Sequence, residues 1–183
     1  MKNKLLQSIL ILFILSSSAY SQIQYVSFGA NAGFGEIRGN SPSVSSFGTN
    51  LFVDFIPWFS DGTLSIRTGF LYAQKIEKFL PENRAGRYYP FIKSYWIKAN
   101  LKQILSEKIY VEPGAGVIVL NDRTFGDTNK WELGVSFNAL VGWDLRKINS
   151  AGISLGLGLD YGITFTGNTA GYYLMYAQIQ YYP

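Results

Sequence analysis

Cysteine and histidine are both absent from the 183 residues, and the two absences remove whole classes of chemistry. Without cysteine there is no disulfide framework and no lipoprotein anchor. Histidine is the usual general base because its pKa lies near neutrality. Without it, a Ser-His or Asp-His mechanism cannot be assembled, and without either residue a His/Cys zinc site is excluded. No paired carboxylate motif and no phosphate-cradling glycine loop takes their place. The expectation is a protein that is not an enzyme, with no cofactor and no metal site.

Long apolar runs are also missing, apart from Ile9–Leu15 near the amino terminus. Gln7 and Ser8 interrupt that run, and a membrane helix needs about 20 apolar residues. With Lys2 and Lys4 before it and Ala19 and Ser21 after it, the stretch reads as a secretory signal peptide over 1–21, cut before Gln22. A single domain, 22–183, follows. Charge of one sign is scarce as well: 16 basic residues face 12 acidic ones. The basic residues are scattered rather than clustered, so nucleic acid is not expected as a partner.

What is present is glycine, at 19, with Tyr and Phe at 13 each, laid out at a period of two. In Ile153–Phe165 the odd positions Ile153, Leu155, Leu157, Leu159, Tyr161, Ile163 and Phe165 are apolar. The even ones are Ser154, Gly156, Gly158, Asp160, Gly162 and Thr164. Alternate residues leave a strand on opposite faces. The stretch exceeds the usual soluble strand of about five or six residues and suits a tilted bilayer crossing of roughly 9–11.

The same template fits about Gln24–Glu36, Phe47–Trp58, Thr63–Lys75, about Ile92–Leu101, Ile109–Leu120, Trp131–Leu145 and Tyr172–Tyr182. With Ile153–Phe165 this gives eight strands. Two places resist. Lys98–Lys108 carries good helix formers and could hold a helical turn. Pro113 lies inside a strand, where it has no N–H to give and calls for a bulge. Connections read as short after the second, fourth and sixth strands and longer after the first, third and fifth (Ile37–Ser46, Ile76–Phe91, Asn121–Lys130). Short periplasmic turns alternating with longer extracellular loops belong to outer-membrane barrels.

Two eight-stranded architectures compete: a membrane barrel, and a soluble carrier with an apolar inside. The non-apolar face here is Gly, Ser and Asn with isolated charges, which suits a narrow interior better than a water-facing surface. The apolar face also gathers aromatics at two levels. One holds Tyr25, Phe55, Trp58, Trp143 and Tyr181; the other holds Phe34, Phe47, Tyr72, Tyr95, Trp131, Phe165 and Tyr173. Girdles at two headgroup zones are the mark of a membrane barrel. The predicted fold is therefore an all-β, eight-stranded antiparallel up-and-down transmembrane barrel, monomeric, in the outer membrane, with both termini periplasmic.

SIRTGFLYAQK (Ser65–Lys75), YVEPGAGV (Tyr110–Val117) and GVSFNALVGWDLR (Gly134–Arg146) resemble the small porin-like outer-membrane β-barrel domain family, of the OmpA/OmpX type. The resemblance covers the mature chain and implies the fold, no enzymatic activity, and contact with the barrel-assembly machinery during biogenesis. Such chains usually end on an aromatic residue; here Tyr181 and Tyr182 precede Pro183.

Two groups of candidate residues remain. The inward charges Asp54, Arg67, Lys98, Glu112, Asp144 and Asp160, with Lys102 and Glu132, read either as a lumen plug of paired ions or as a gated ion path. Buried ions persist only when paired. The first expected pair is Arg67 with Glu112, the second Lys98 with Asp54 or Asp144. The other group lies in Lys75–Lys93, where Arg84, Arg87, Tyr88 and Tyr89 form either a solvated loop or a contact for lipopolysaccharide or a surface partner, since cations suit phosphate. The functional expectation is a structural or surface-interaction role. A narrow channel for small solutes or ions is the first alternative, and a secreted lipocalin-like carrier the second.

Overall fold

The computed structural model describes residues 23–80, 88–126, 129–146, 150–167 and 169–183. The expected signal peptide, Arg84 and Arg87 lie outside them. The strands are β1 (Ile23–Arg38), β2 (Val44–Pro57), β3 (Leu64–Lys75), β4 (Phe91–Leu101), β5 (Gln103–Ile104), β6 (Ile109–Arg123), β7 (Lys130–Asp144), β8 (Gly152–Thr164) and β9 (Gly171–Tyr182). All pair antiparallel with their neighbours, and β1 pairs with β9 from Phe28↔Tyr181 to Arg38↔Gly171, which closes the sheet. Closure satisfies every strand edge, as a chain crossing lipid requires.

The two-residue β5 is not a ninth stave. It continues β4 along β6 in the same register, with Asn100↔Gly114 on one side and Gln103↔Val111 on the other. The gap falls at Lys102, beside Pro113. Because proline has no N–H, the ladder lapses there rather than bulging, while β6 pairs with β7 without a shift (Pro113↔Ala139). The helical turn considered for Lys98–Lys108 is absent: β4 and β5 carry the chain to Ile104 as strand. The eight staves and their order are those expected.

The connections differ from expectation. β1 reaches Arg38 and β2 starts at Val44, so the first supposed long loop shrinks to 39–43. The link from β6 to β7 is 124–129, against 58–63 from β2 to β3 and 145–151 from β7 to β8. Only 76–90, between β3 and β4, is long. The turn residues of the first loop were countable in the sequence, but strand pairing had already consumed half of them. The start of β1 (Ile23) and the end of β9 (Tyr182) lie at one rim, here the terminal rim; the strand ends that flank 39–43, 76–90, 124–129 and 165–170 lie at the other, the loop rim.

The outside is apolar. Leu51, Ile97, Val117, Phe137, Val141, Leu157 and Met175 are all more than half exposed, and Leu157 is 70 % exposed. Aromatics mark both levels, with Trp58, Trp143 and Tyr181 towards the terminal rim and Phe34, Tyr95, Trp131 and Phe165 towards the loop rim, all exposed. The inside is close-packed, and glycine lets its walls approach. A Cβ on Gly33 would stand 1.9 Å from the carbonyl oxygen of Met175 on β9, a contact no side chain could relieve.

Candidate functional site

The interior is stacked in layers, each set by strand parity and register. In the ionic layer, the register places Asp54, Arg67 and Lys98 side by side on β2, β3 and β4. Arg67 answers its neighbour directly: Nη2 donates to Asp54 Oδ2 at 2.8 Å. Its other branch crosses the lumen, with Nη1 at 2.8 Å from Glu112 Oε1, an ion pair in distance without hydrogen-bond alignment. Lys98, facing a guanidinium on its own side, turns the other way. Its Nζ donates to Asp160 Oδ1 on β8 at 2.7 Å. All five groups are buried.

Of the expected pairs, Arg67 and Glu112 come together. The second pairing is corrected: Lys98 meets neither Asp54 nor Asp144. Asp54 is taken by the adjacent Arg67. Asp144 closes β7 at the terminal rim, where it accepts from Arg146 Nη2 at 2.6 Å and lies 3.4 Å from Lys102 Nζ. Strand position alone treated these carboxylates as equal in depth; stagger between strands, invisible in a single strand's pattern, separates them. Gln180, on the inward parity of β9, is buried as well. It donates to Ser27 Oγ at 2.8 Å and to Asp54 Oδ2 at 3.0 Å, so it holds Asp54 towards Arg67.

Aromatic faces complete the ionic layer. The Arg67 guanidinium lies 4.4 Å from the Phe52 ring centroid, and Lys98 Nζ 4.7 Å from that of Trp96. The space among Arg67, Lys98, Asp160 and Tyr176 is about 10 Å³, which holds on the order of one water. Towards the loop rim an apolar layer follows: Ile37, Phe52, Leu71, Ile92, Trp96, Ile118, Leu120, Tyr172 and Leu174. Phe52, Leu71, Ile118 and Leu120 stand on the face expected to be small or polar, so the lumen is not filled by polar groups alone. The strict two-set alternation of Ile153–Phe165 had concealed them, because the inward positions of that strand hold no large apolar side chain.

Each rim has its own lock. At the terminal rim Lys102 Nζ lies 4.0 Å from the Tyr110 ring centroid, and the Arg146 guanidinium 3.6 Å from that of Tyr182. Its hydrogen bond to Asp144 raises the Arg146 pKa above its ordinary value. At the loop rim, the buried Asp122 on β6 accepts from the backbone N–H of Asn40 at 3.0 Å and from Thr124 Oγ1 at 2.7 Å. β1 and β6 are not neighbours, so this bond carries 39–43 across the mouth. Glu132 accepts from Thr164 Oγ1 at 2.6 Å nearby.

Of the loop residues, Tyr88 is exposed and its hydroxyl donates to the backbone carbonyls of Arg123 and Phe125. Tyr89 is buried and lines a cavity of about 540 Å³ with Phe47, Tyr72, Lys78 and Phe79. The turn Ile76–Phe79 places Phe79 on Phe47, ring centroids 5.6 Å apart. Among the described residues no group of three or more Asp or Glu side chains converges as a metal site would require.

No protein-family model matches the chain, and no curated protein matches it in sequence. Solved structures do. Neisserial surface protein A superposes with a TM-score of 0.64 at 11 % identity, over 85 % of this chain and 96 % of that one. Ail, the attachment invasion locus protein of Yersinia pestis, solved in complex with the heparin analogue sucrose octasulfate, superposes with a TM-score of 0.55 at 9 % identity. That match covers 88 % of this chain and the whole of Ail. At such identities the likeness is one of fold, and the fold is the closed, eight-stranded, up-and-down barrel of the outer membrane.

Proposed function

We propose that this chain is a non-enzymatic outer-membrane protein with a structural or surface-interaction role, its lumen plugged and its termini on the periplasmic side. The observation that carries the plug is the roughly 10 Å³ left among Arg67, Lys98, Asp160 and Tyr176, below a continuous apolar layer. Ions crossing that path would have to break three buried pairs and then leave water altogether, and each desolvation costs several kcal/mol. The apolar outer band between two aromatic levels supports the membrane setting.

The orientation rests on the loops. The one long connection, 76–90, lies at the loop rim, and longer loops face outward in such barrels. A signal peptide over 1–21 and delivery by the barrel-assembly machinery complete the route. Outer-membrane lipid, lipopolysaccharide among it, is the surrounding partner. Ail was solved with a sulfated heparin analogue, and a polyanionic surface ligand at the loop rim is consistent with Lys75, Lys78 and Lys93 there.

The test joins two measurements. Unboiled protein in mild SDS should migrate faster than boiled protein, because a closed barrel offers detergent no edge. In planar bilayers it should give no ohmic steps. Steps that vanish when Arg67 is replaced would establish the channel alternative, and full solubility without detergent would establish a carrier.

A further inference from the structure

The lumen accounts for Arg67 and Lys98, but two cations on the outer wall have no such partners. Lys93 on β4 and Arg123 on β6 point away from the lumen, and the register sets Phe91 opposite Arg123. Both cations use the same ring: Lys93 Nζ lies 5.5 Å from the Phe91 centroid and the Arg123 guanidinium carbon 5.7 Å. Among the described residues neither has a carboxylate within ion-pair distance. Arg123 Nε is moreover buried with no hydrogen-bond partner. A buried donor left unmade is costly, and two converging cations repel unless an anion lies between them.

Their depth identifies the anion. Tyr95 on β4 and Trp131 on β7 stack at 5.9 Å and 20° just below, at the aromatic level that marks a headgroup zone. Beneath them the wall is apolar through Ile97, Val117 and Val119. The cations thus sit on the lipid-facing wall, above a surface fit for acyl chains and outside the mouth of the barrel. We propose that Lys93 and Arg123, floored by Phe91, bind the phosphate of a phosphorylated glycolipid in the surrounding leaflet. The guanidinium supplies a planar fork and the ammonium a point charge, the two complementary ways of holding phosphate. Tyr88, hydrogen-bonded to the Arg123 carbonyl, fixes the strand end that carries the fork. This site rests on the membrane reading above and names the lipid that the wall selects.

The full chain in nanodiscs, loaded with a bis-phosphorylated glycolipid or its dephosphorylated counterpart, gives the test by native mass spectrometry of co-purified lipid. Wild type should retain the phosphorylated form at least tenfold better. Lys93→Gln with Arg123→Gln should erase that preference while the SDS-gel heat shift persists, and Lys93→Arg should restore it. Equal retention of the two lipids by wild type overturns the proposal even if every variant misfolds. So does displacement of the lipid by millimolar inorganic phosphate, which would indicate a free-anion site. Wild type that inserts and heat-shifts yet shows no preference refutes this site alone; wild type that fails to insert refutes the membrane reading with it.

Discussion

At the scale of single residues, the ionic layer is a matter of which charge is left alone. Arg67 has two carboxylates, Asp54 and Glu112, so removing either leaves it partly paired. Lys98 and Asp160 have a cleaner dependence, 2.7 Å apart on β4 and β8. Lys98→Met should destabilise the barrel by about 3–5 kcal/mol, since Asp160 is then buried without a cation. Asp160→Asn alone should cost a similar amount, and the double variant should recover much of the loss. Urea unfolding from lipid vesicles reads this directly, and simple additivity would mean that the two charges act separately. The sequence made the depth of Arg67 and Glu112 legible, because each is mid-strand on an inward parity. It did not make Lys98–Asp160 legible: the choice depends on Arg67 occupying the near side, a three-strand relation that no single stretch contains.

At the scale of the strand, faces were easier to read than edges. Ile153–Phe165 is offset by one residue from β8, whose bounds are Gly152–Thr164, and its odd positions are those that face out. Leu157, 70 % exposed at the middle of that face, is where a charge should tell most. Leu157→Arg should cost about 2–4 kcal/mol, the midplane cost of a lipid-facing cation, with a smaller cost for Ile153→Arg near the rim. Equal costs at both depths in bilayer refolding would count against a membrane-spanning face. Strand ends were less legible, because a hydrogen-bond ladder extends into residues whose polarity suggests a loop: Ser45 and Ser46 pair with Glu36 and Gly35. The inward Phe52, Leu71, Ile118 and Leu120 were missed for a related reason. A residue apolar on both parities carries no periodic signal, yet these four supply much of the layer beneath the loop rim.

At the scale of the whole molecule, closure decides more than any contact. β1 and β9 are the first and last strands and also neighbours, joined over Phe28–Arg38. Ile23 and Tyr182 therefore emerge at the same rim, one strand apart. A ring of staves has no intrinsic first member, so the order of synthesis is separable from the architecture. A chain whose Tyr182 is linked to Ile23 through a short glycine-serine bridge, and opened instead within Ser106–Lys108, should still refold in detergent to a heat-modifiable barrel. Under the delivery route proposed above, what it would lose is the aromatic strand at its carboxyl end, since the reopened chain would end on β5. Normal folding in vitro with failed delivery in cells would separate the information for shape from the information for destination, and would support the proposed delivery by the barrel-assembly machinery through the strand Gly171–Tyr182.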